Sequence, residues 1–270
     1  MKVLVVGGCH VYGYGIEKGK GFVQQTLDKL RLEYQTEIEV TYYAPFKLDK
    51  AIRLFMLQPS LSKQFDIIIL QLGHFELTHQ DVFKRFFDES TAFNQQMYPA
   101  SETDLCKLVP ANINELHAVS PAHKFEKKKL NLEVVKSGLR LQLKLAFLKA
   151  YHWFKPIGRL RGFRHQVEEL VTLLDGAQQK TVWIAPAPVS DKISNFLRQQ
   201  GRAILLKVCK SAHFQVIDPV QVIDHPEEGI ASDGFHINEY FHTLLAKALL
   251  QRIKIAGVLQ NWPYPYKHAS

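Results

Sequence analysis

The sequence has few of the features that define several common classes of protein. Its three cysteines, Cys9, Cys106 and Cys209, are too few and too widely spaced for a disulfide framework or a CxxC metal site. No apolar run approaches the roughly 20 residues of a membrane span. The N-terminus lacks the apolar region and small-residue cleavage site of a signal peptide. These absences favour a globular protein of the reducing cytoplasm, without a metal or cofactor.

Acidic residues are scarce in one segment, residues 123–165. That segment contains twelve lysines and arginines and only two acidic residues, Glu126 and Glu133. Its formal charge is therefore +10. The whole chain carries +8, so the remaining residues sum to −2. The basicity is therefore a local feature, which is typical of a surface that contacts an anionic partner.

The apolar patterns that are present predict five strands separated by helices. The predicted strands are 2–6, 37–43, 65–72, 180–185 and 214–217. Strands that alternate with helices indicate a parallel sheet, so the predicted fold is α/β, a three-layer α/β/α domain of flavodoxin-like type. We expect one domain over residues 1–270, with residues 77–165 inserted as a basic, helical cap. The active site should lie at the carboxyl ends of the strands.

Chemically useful side chains follow these strands and occupy the last loop. Cys9 comes directly after the first strand and a Gly7-Gly8 turn, and Asp233 and His236 lie just before the last predicted helix. A cysteine, a histidine and a carboxylate form a nucleophilic set, in which the imidazole takes the thiol proton and the carboxylate orients the ring. Backbone amides at such a turn predict a lowered thiol pKa. The neighbouring His10 is expected at the surface.

The chain resembles the SGNH (GDSL-type) hydrolases in three short blocks. Gly7-Gly8-Cys9 stands where that family has Gly-Asp-Ser, and Gly73-His74-Phe75-Glu76 stands where it has Gly-x-Asn-Asp. The block Asp233 to His236 is an intact Asp-x-x-His. The resemblance implies Cys9 as nucleophile, His236 as base and Asp233 as its orienting residue.

The same resemblance makes Gly8, Gly73 and His74 the candidate oxyanion or substrate-binding residues. Two departures from the family pattern bear on this part of the site. Gly8 replaces an aspartate, and Phe75 replaces the asparagine that helps the family's oxyanion hole.

The resulting hypothesis is an acyl hydrolase or acyltransferase that acts on an ester or thioester through an acyl-Cys9 intermediate. Two alternatives stay open: a non-catalytic binding protein of the same fold, and a saccharide O-acetyl esterase or transferase. The basic segment suggests an acidic acyl carrier protein or an anionic membrane surface as partner. Nucleic acid is the least favoured partner, since no nucleic-acid motif is present. Leu139, Leu143, Phe147 and Trp153 could line an acyl-chain pocket.

Overall fold

The computed structural model describes residues 1–78, 108–119, 138–155 and 157–255. The strands are β1 Lys2–Gly7, β2 Glu39–Tyr43, β3 Ile67–Gln71, β4 Thr181–Ile184 and β5 Gln215–Ile217. The helices are α1 Phe22–Tyr34, α2 Leu48–Leu57, α3 Ile113–Val119, α4 Gly138–Phe154, α5 Gly158–Leu173, α6 Lys192–Ser211 and α7 Glu239–Ile255. Each predicted strand is present; β1 is one residue longer than predicted, and the other four are shortened at their ends by at most two residues.

The five strands form one parallel sheet in the order β2-β1-β3-β4-β5. The chain leaves β1 towards β2 on one side and returns to β3 on the other, so the strand order reverses between β1 and β3. Gly7 at the end of β1 is in register with Gln71 at the end of β3. This reversal opens a crevice at the carboxyl ends, the usual binding position in such sheets.

Helices cover both faces of the sheet, which confirms the predicted three-layer fold. Alternate strand side chains point to opposite faces, so Val5 and Ile69 face α1 and α7, while Val6 and Leu70 face α2, α5 and α6. Apart from Lys2 at the start of β1, the residues on both faces of β1 and β3 are buried. A central parallel strand reads as a continuous apolar run for this reason.

Helix α5 is part of the main domain and begins earlier than predicted. The sequence suggests a start at Phe163, whereas the helix begins at Gly158 and its Leu160 and Phe163 are both buried in the core. Residues 79–107 and 120–137 of the predicted insertion lie outside the described residues, so its extent stays a prediction. None of the described helices combines the length and apolar character that crossing a bilayer requires.

Candidate active site

A tight turn presents Cys9 at the end of β1. Gly7 must lack a side chain, because a Cβ there would lie 2.6 Å from Val11 Cγ1 and 2.8 Å from the Gln71 carbonyl oxygen. The Gly8 N–H donates to that carbonyl oxygen at 3.2 Å, which ties the turn to β3. A short 3₁₀ turn then runs from Cys9 to Tyr12 and leaves the Cys9 side chain partly accessible.

The three residues predicted as a catalytic set are in contact. His236 Nε2 lies 3.2 Å from Cys9 Sγ, and His236 Nδ1 is hydrogen-bonded to Asp233 Oδ2. The backbone N–H groups of His236 and Phe235 donate to Asp233 Oδ1 at 3.0 and 2.9 Å, which fixes the carboxylate in the loop. The Tyr14 ring packs against the His236 imidazole with 4.5 Å between centroids. The base is therefore held on two sides and points at the sulfur.

The charges of this set differ from those of a thiolate–imidazolium pair. Burial raises the pKa of Cys9 to about 11, although the backbone N–H groups of Cys9 and His10 and the cation of Arg198 act to lower it. The expectation of a lowered thiol pKa is therefore wrong, because desolvation outweighs the amides. Burial acts to raise the pKa of Asp233 as well, but hydrogen bonds from His236 and Phe235 outweigh it and lower that pKa. The resting site holds a neutral thiol beside an ionised carboxylate.

The backbone N–H groups of Cys9 and His10 interact with the Cys9 thiol and act to lower its pKa. These two N–H groups are therefore the candidate donors for an oxyanion at the nucleophile. The Gly8 N–H does not fit the predicted oxyanion role, because it is committed to the Gln71 carbonyl oxygen. Phe75 lies beside the turn, where its Cε2 atom would be 3.3 Å from a Cβ on Gly8. An apolar ring thus lies directly beside the nucleophile turn.

Gly73 and His74 shape the end of β3. Gly73 has φ +97°, and a Cβ at that position would lie 2.8 Å from Phe163 Cε2. His74 is buried, and its Nε2 accepts a hydrogen bond from the Ala187 N–H at 3.1 Å. Because Nε2 accepts, the proton of the neutral His74 ring is on Nδ1. This Nδ1 atom is buried and has no hydrogen-bond partner in the described part of the chain. The last residue of the block, Glu76, accepts from the Leu48 N–H at the start of α2.

A layer of buried histidines lies beneath the nucleophile. His10 is only 3% exposed, so its expected surface position is wrong. Its Nδ1 lies 2.8 Å from Gln71 Nε2, and the same amide nitrogen lies 3.2 Å from His74 Nε2. His242 is also fully buried and accepts from the Phe22 N–H. Burial lowers the pKa of all three imidazoles, that of His242 to about 3, so they are neutral at pH 7.

A buried arginine on α6 braces the loops around this layer. Arg198 donates to the Ala187 carbonyl oxygen at 2.9 Å, to Thr78 Oγ1 at 3.1 Å and to the His74 carbonyl oxygen at 3.3 Å. Burial lowers the pKa of Arg198 to about 10, so the guanidinium stays charged at pH 7. Its positive charge favours the ionised form of Cys9.

Sequence reasoning missed Gln71 and Arg198, although both positions carry a signal. Gln71 is the one polar residue that interrupts the apolar run of β3, and it lies at the carboxyl end of that strand. Arg198 lies four residues before Arg202 and next to Leu197, within the buried stripe of α6. A polar side chain at a position that the periodicity assigns to the core needs a buried partner.

The fold agrees with solved hydrolase structures. A lipase/acylhydrolase from Enterococcus faecalis superposes with a TM-score of 0.53 at 12% identity, over 95% of this chain and 96% of that chain. An α/β hydrolase from the metagenome of Lake Arreo, Spain, gives 0.52 at 13% identity, over 94% and 95%. An acetylxylan esterase from Geobacillus stearothermophilus gives 0.50 at 14%, over 93% of each chain. The chain therefore has the α/β/α fold of the SGNH-type hydrolases.

Comparison of the sequence with protein-family models and with curated proteins finds no match.

Proposed function

We propose that this protein is an acyl hydrolase or acyltransferase for esters or thioesters, with Cys9 as nucleophile, His236 as base and Asp233 as the orienting carboxylate. The observation that carries the proposal is the continuous hydrogen-bond chain from Asp233 through His236 to Cys9 Sγ. The chain lies at the carboxyl edge of the sheet, beside the strand reversal. The fold similarity to esterases and lipases supports the same reaction class.

Acylation starts from a neutral thiol, with His236 as the base. As Sγ forms its bond to the carbonyl carbon, His236 Nε2 takes the thiol proton, and Asp233 stabilises the resulting imidazolium. The electron pair of the carbonyl double bond moves to oxygen, which the N–H groups of Cys9 and His10 are placed to receive. Collapse of this intermediate breaks the bond to the leaving group, which takes the proton from His236. An acyl-Cys9 thioester remains.

Deacylation reuses the same groups in reverse. His236 Nε2 accepts a proton from water or from an acceptor alcohol, whose oxygen attacks the thioester carbonyl. The Cys9–acyl bond then breaks, and the sulfur recovers its proton from His236. Water gives hydrolysis and an alcohol gives acyl transfer. The Tyr14 ring packs on the imidazole throughout, and an aromatic face beside an imidazolium adds a favourable cation–π contact.

The test combines turnover with detection of the covalent intermediate. Wild-type protein is mixed with p-nitrophenyl acetate or an acyl-coenzyme A thioester, quenched in acid and weighed by intact mass spectrometry. We expect an acyl adduct that hydroxylamine removes, and we expect Cys9→Ala to lose both adduct and turnover. Cys209→Ala is the matched control, because Cys209 is buried in α6 and should leave both unchanged. Full turnover by Cys9→Ala, or no turnover and no adduct with either substrate class, would refute the proposal.

A non-catalytic binding protein of the same fold is the second candidate. The observation in its favour is Phe75, which places an apolar ring where the family has an oxyanion donor. A missing donor typically costs about 10²–10³ in rate. Phe75→Asn separates the two functions, since it should raise turnover in an enzyme and leave a binding protein without turnover. A saccharide O-acetyl esterase would instead favour acetylated oligosaccharides over acyl thioesters in the same assay.

The anionic partner is a further part of this proposal. Helix α4 exposes Leu143, Phe147 and Trp153, with Trp153 86% exposed, so these side chains form no closed lining among the described residues. Lys149 on the same helix is exposed as well. An exposed tryptophan next to lysine suits the surface of an anionic membrane or an acidic carrier protein. Co-sedimentation with phosphatidylglycerol vesicles, with Trp153→Ala as the variant, distinguishes the membrane from the protein partner.

A further inference from the structure

The side chains that meet at the nucleophile also make a set of metal ligands. Cys9 Sγ and one ring nitrogen from each of His10 and His236 lie within 4.8 Å of one another. Among the residues that the structure describes, this is the group of His, Cys, Asp and Glu side chains that comes close enough to share an ion. The spacing in the sequence gave no indication of it, because His236 lies 227 residues from Cys9.

The distances suit a small tetrahedral cation. With Zn–S near 2.3 Å and Zn–N near 2.0–2.1 Å, a tetrahedral site has S···N edges of about 3.6 Å and N···N edges of about 3.4 Å. The Cys9 Sγ to His236 Nε2 distance is 3.2 Å, so one edge is nearly in place. The His10 nitrogen lies within 4.8 Å of the other two atoms, so it needs to approach by at most roughly 1.2–1.4 Å to meet the same edge lengths.

The outer hydrogen bond of His236 supports the same assignment, and that of His10 does so once the Gln71 amide is turned. Asp233 binds Nδ1 of His236, which is the carboxylate–histidine–metal arrangement found around zinc. On His10, the Gln71 Nε2 amide donates to Nδ1, which leaves the ring proton on Nε2, so metal binding at Nε2 requires the opposite tautomer. Gln71 Oε1 is buried and has no hydrogen-bond partner among the described residues. Turning the amide end for end would let that oxygen accept from a protonated Nδ1, at the loss of the longer contact to His74.

We propose that Zn²⁺, or another divalent cation of similar softness, binds Cys9 Sγ and the imidazoles of His10 and His236 and blocks the site. The ion replaces the thiol proton, which leaves to solvent, and the fourth coordination position stays open to water. The bound ion occupies the sulfur and the Nε2 lone pair that acylation needs, so it inhibits catalysis. Binding stands on the ligand geometry alone, whereas the inhibition rests on the proposed function.

Cobalt titration tests the site without any substrate. Co²⁺ prefers the same ligands as Zn²⁺ and gives a near-ultraviolet charge-transfer band when a thiolate binds it. We expect the band with wild-type protein and its displacement by an equimolar amount of Zn²⁺. Cys9→Ser should abolish the band. His10→Phe should weaken binding at least about 100-fold, more than the 10–100-fold that an outer-shell partner typically contributes.

Matched controls come from the same residue types elsewhere in the chain. Cys209→Ala removes a thiol outside the cluster, and His225→Gln removes an exposed imidazole outside it. Both should keep the wild-type band and affinity. The proposal is overturned if wild-type protein shows no band, or if His10→Phe binds Co²⁺ as tightly as wild type.

X-ray absorption on the zinc-loaded wild type covers the case in which His10→Phe fails to fold. We expect one sulfur and two imidazoles in the coordination sphere, and a sphere with one imidazole would contradict the assignment of His10. The two proposals also fail separately. Loss of the cobalt signal with retained ester turnover defeats only the metal site, and a cobalt signal without turnover defeats only the enzyme.

Discussion

Cys9 should react slowly with alkylating reagents, although it is the proposed nucleophile. With a pKa of about 11, the thiolate fraction at pH 7 is about 10⁻⁴. An ordinary thiol with a pKa near 8.5 has a thiolate fraction of about 3 × 10⁻², roughly 300-fold more. A more basic thiolate is intrinsically more reactive, by roughly 13-fold over this pKa difference at a Brønsted coefficient near 0.45. We therefore expect Cys9 to be alkylated about 20-fold more slowly than a free cysteine.

The assay is a time course with iodoacetamide, an uncharged reagent, followed by peptide-resolved mass spectrometry. Cysteine in a short model peptide gives the reference rate in the same tube. The rate at Cys9 should rise tenfold per pH unit from roughly pH 7 to 9.5 without a plateau, because the thiol is still mostly protonated. Arg198→Met should slow the reaction further, since the guanidinium charge favours the ionised form of Cys9.

A plateau below pH 8.5, or a rate above that of the model peptide, would refute the reasoning. Either result would mean that the resting site is a thiolate–imidazolium pair, as the amides of the turn suggest from the sequence. Desolvation would then have to be weaker than the buried position of Cys9 implies. The measurement decides whether the site works like that of a serine hydrolase, with proton transfer during attack, or like that of a cysteine protease.

Three other predictions concern the carboxylate, the buried histidines and the β3 turn. Asp233→Asn should lower kcat by about 10³–10⁴ with little change in KM, because an amide no longer fixes the His236 tautomer; steady-state kinetics measure it, and a loss below tenfold would contradict the role. A histidine that is neutral in the fold but titrates near 6.5 when unfolded lowers the unfolding free energy by about 2 kcal/mol between pH 7 and pH 5, and this is the effect expected for His242, whose pKa in the fold is about 3. The sign follows from its depressed folded pKa, since stability is lost as pH falls below about 6.5. Urea unfolding at both pH values should show that His242→Asn loses about 2 kcal/mol less than the wild type between pH 7 and pH 5, and an equal loss would exclude His242 as a contributor. Gly73→Ala should cost about 1–3 kcal/mol through its positive φ and the contact with Phe163; thermal unfolding measures this, and an unchanged Tm would argue against strain.

The strands and the site edge could be predicted because each rests on a local pattern. The apolar run from Ile67 to Leu70 indicates a buried strand. A cysteine that follows Gly7-Gly8 is expected at the end of the strand that precedes the two glycines. The pairing of Asp233 with His236 follows from a spacing of three residues in one loop. Such features depend on residues that are close in the sequence. The fold then brings these separate features together at one edge of the sheet.

The environment of the thiol could not be predicted, because it depends on residues from distant elements. His10 is buried against Gln71 at the end of β3. The hydrogen bonds that Arg198 donates to the loops around the site come from α6. How far the Cys9 side chain is buried decides whether desolvation or the backbone amides have the larger effect on its pKa. A sequence names the groups but gives no measure of that depth.

The separation of 227 positions between Cys9 and His236 has a consequence for synthesis and cleavage of the chain. A nascent or truncated polypeptide that ends before His236 carries Cys9 without its proposed base. Such a chain should neither transfer acyl groups nor form the proposed metal site. The proposed active site forms only when the segment that carries His236 packs against the segment that carries Cys9. A chain cut in a surface loop between α6 and β5 should be inert as separate fragments, and it should recover turnover only when both fragments reassociate.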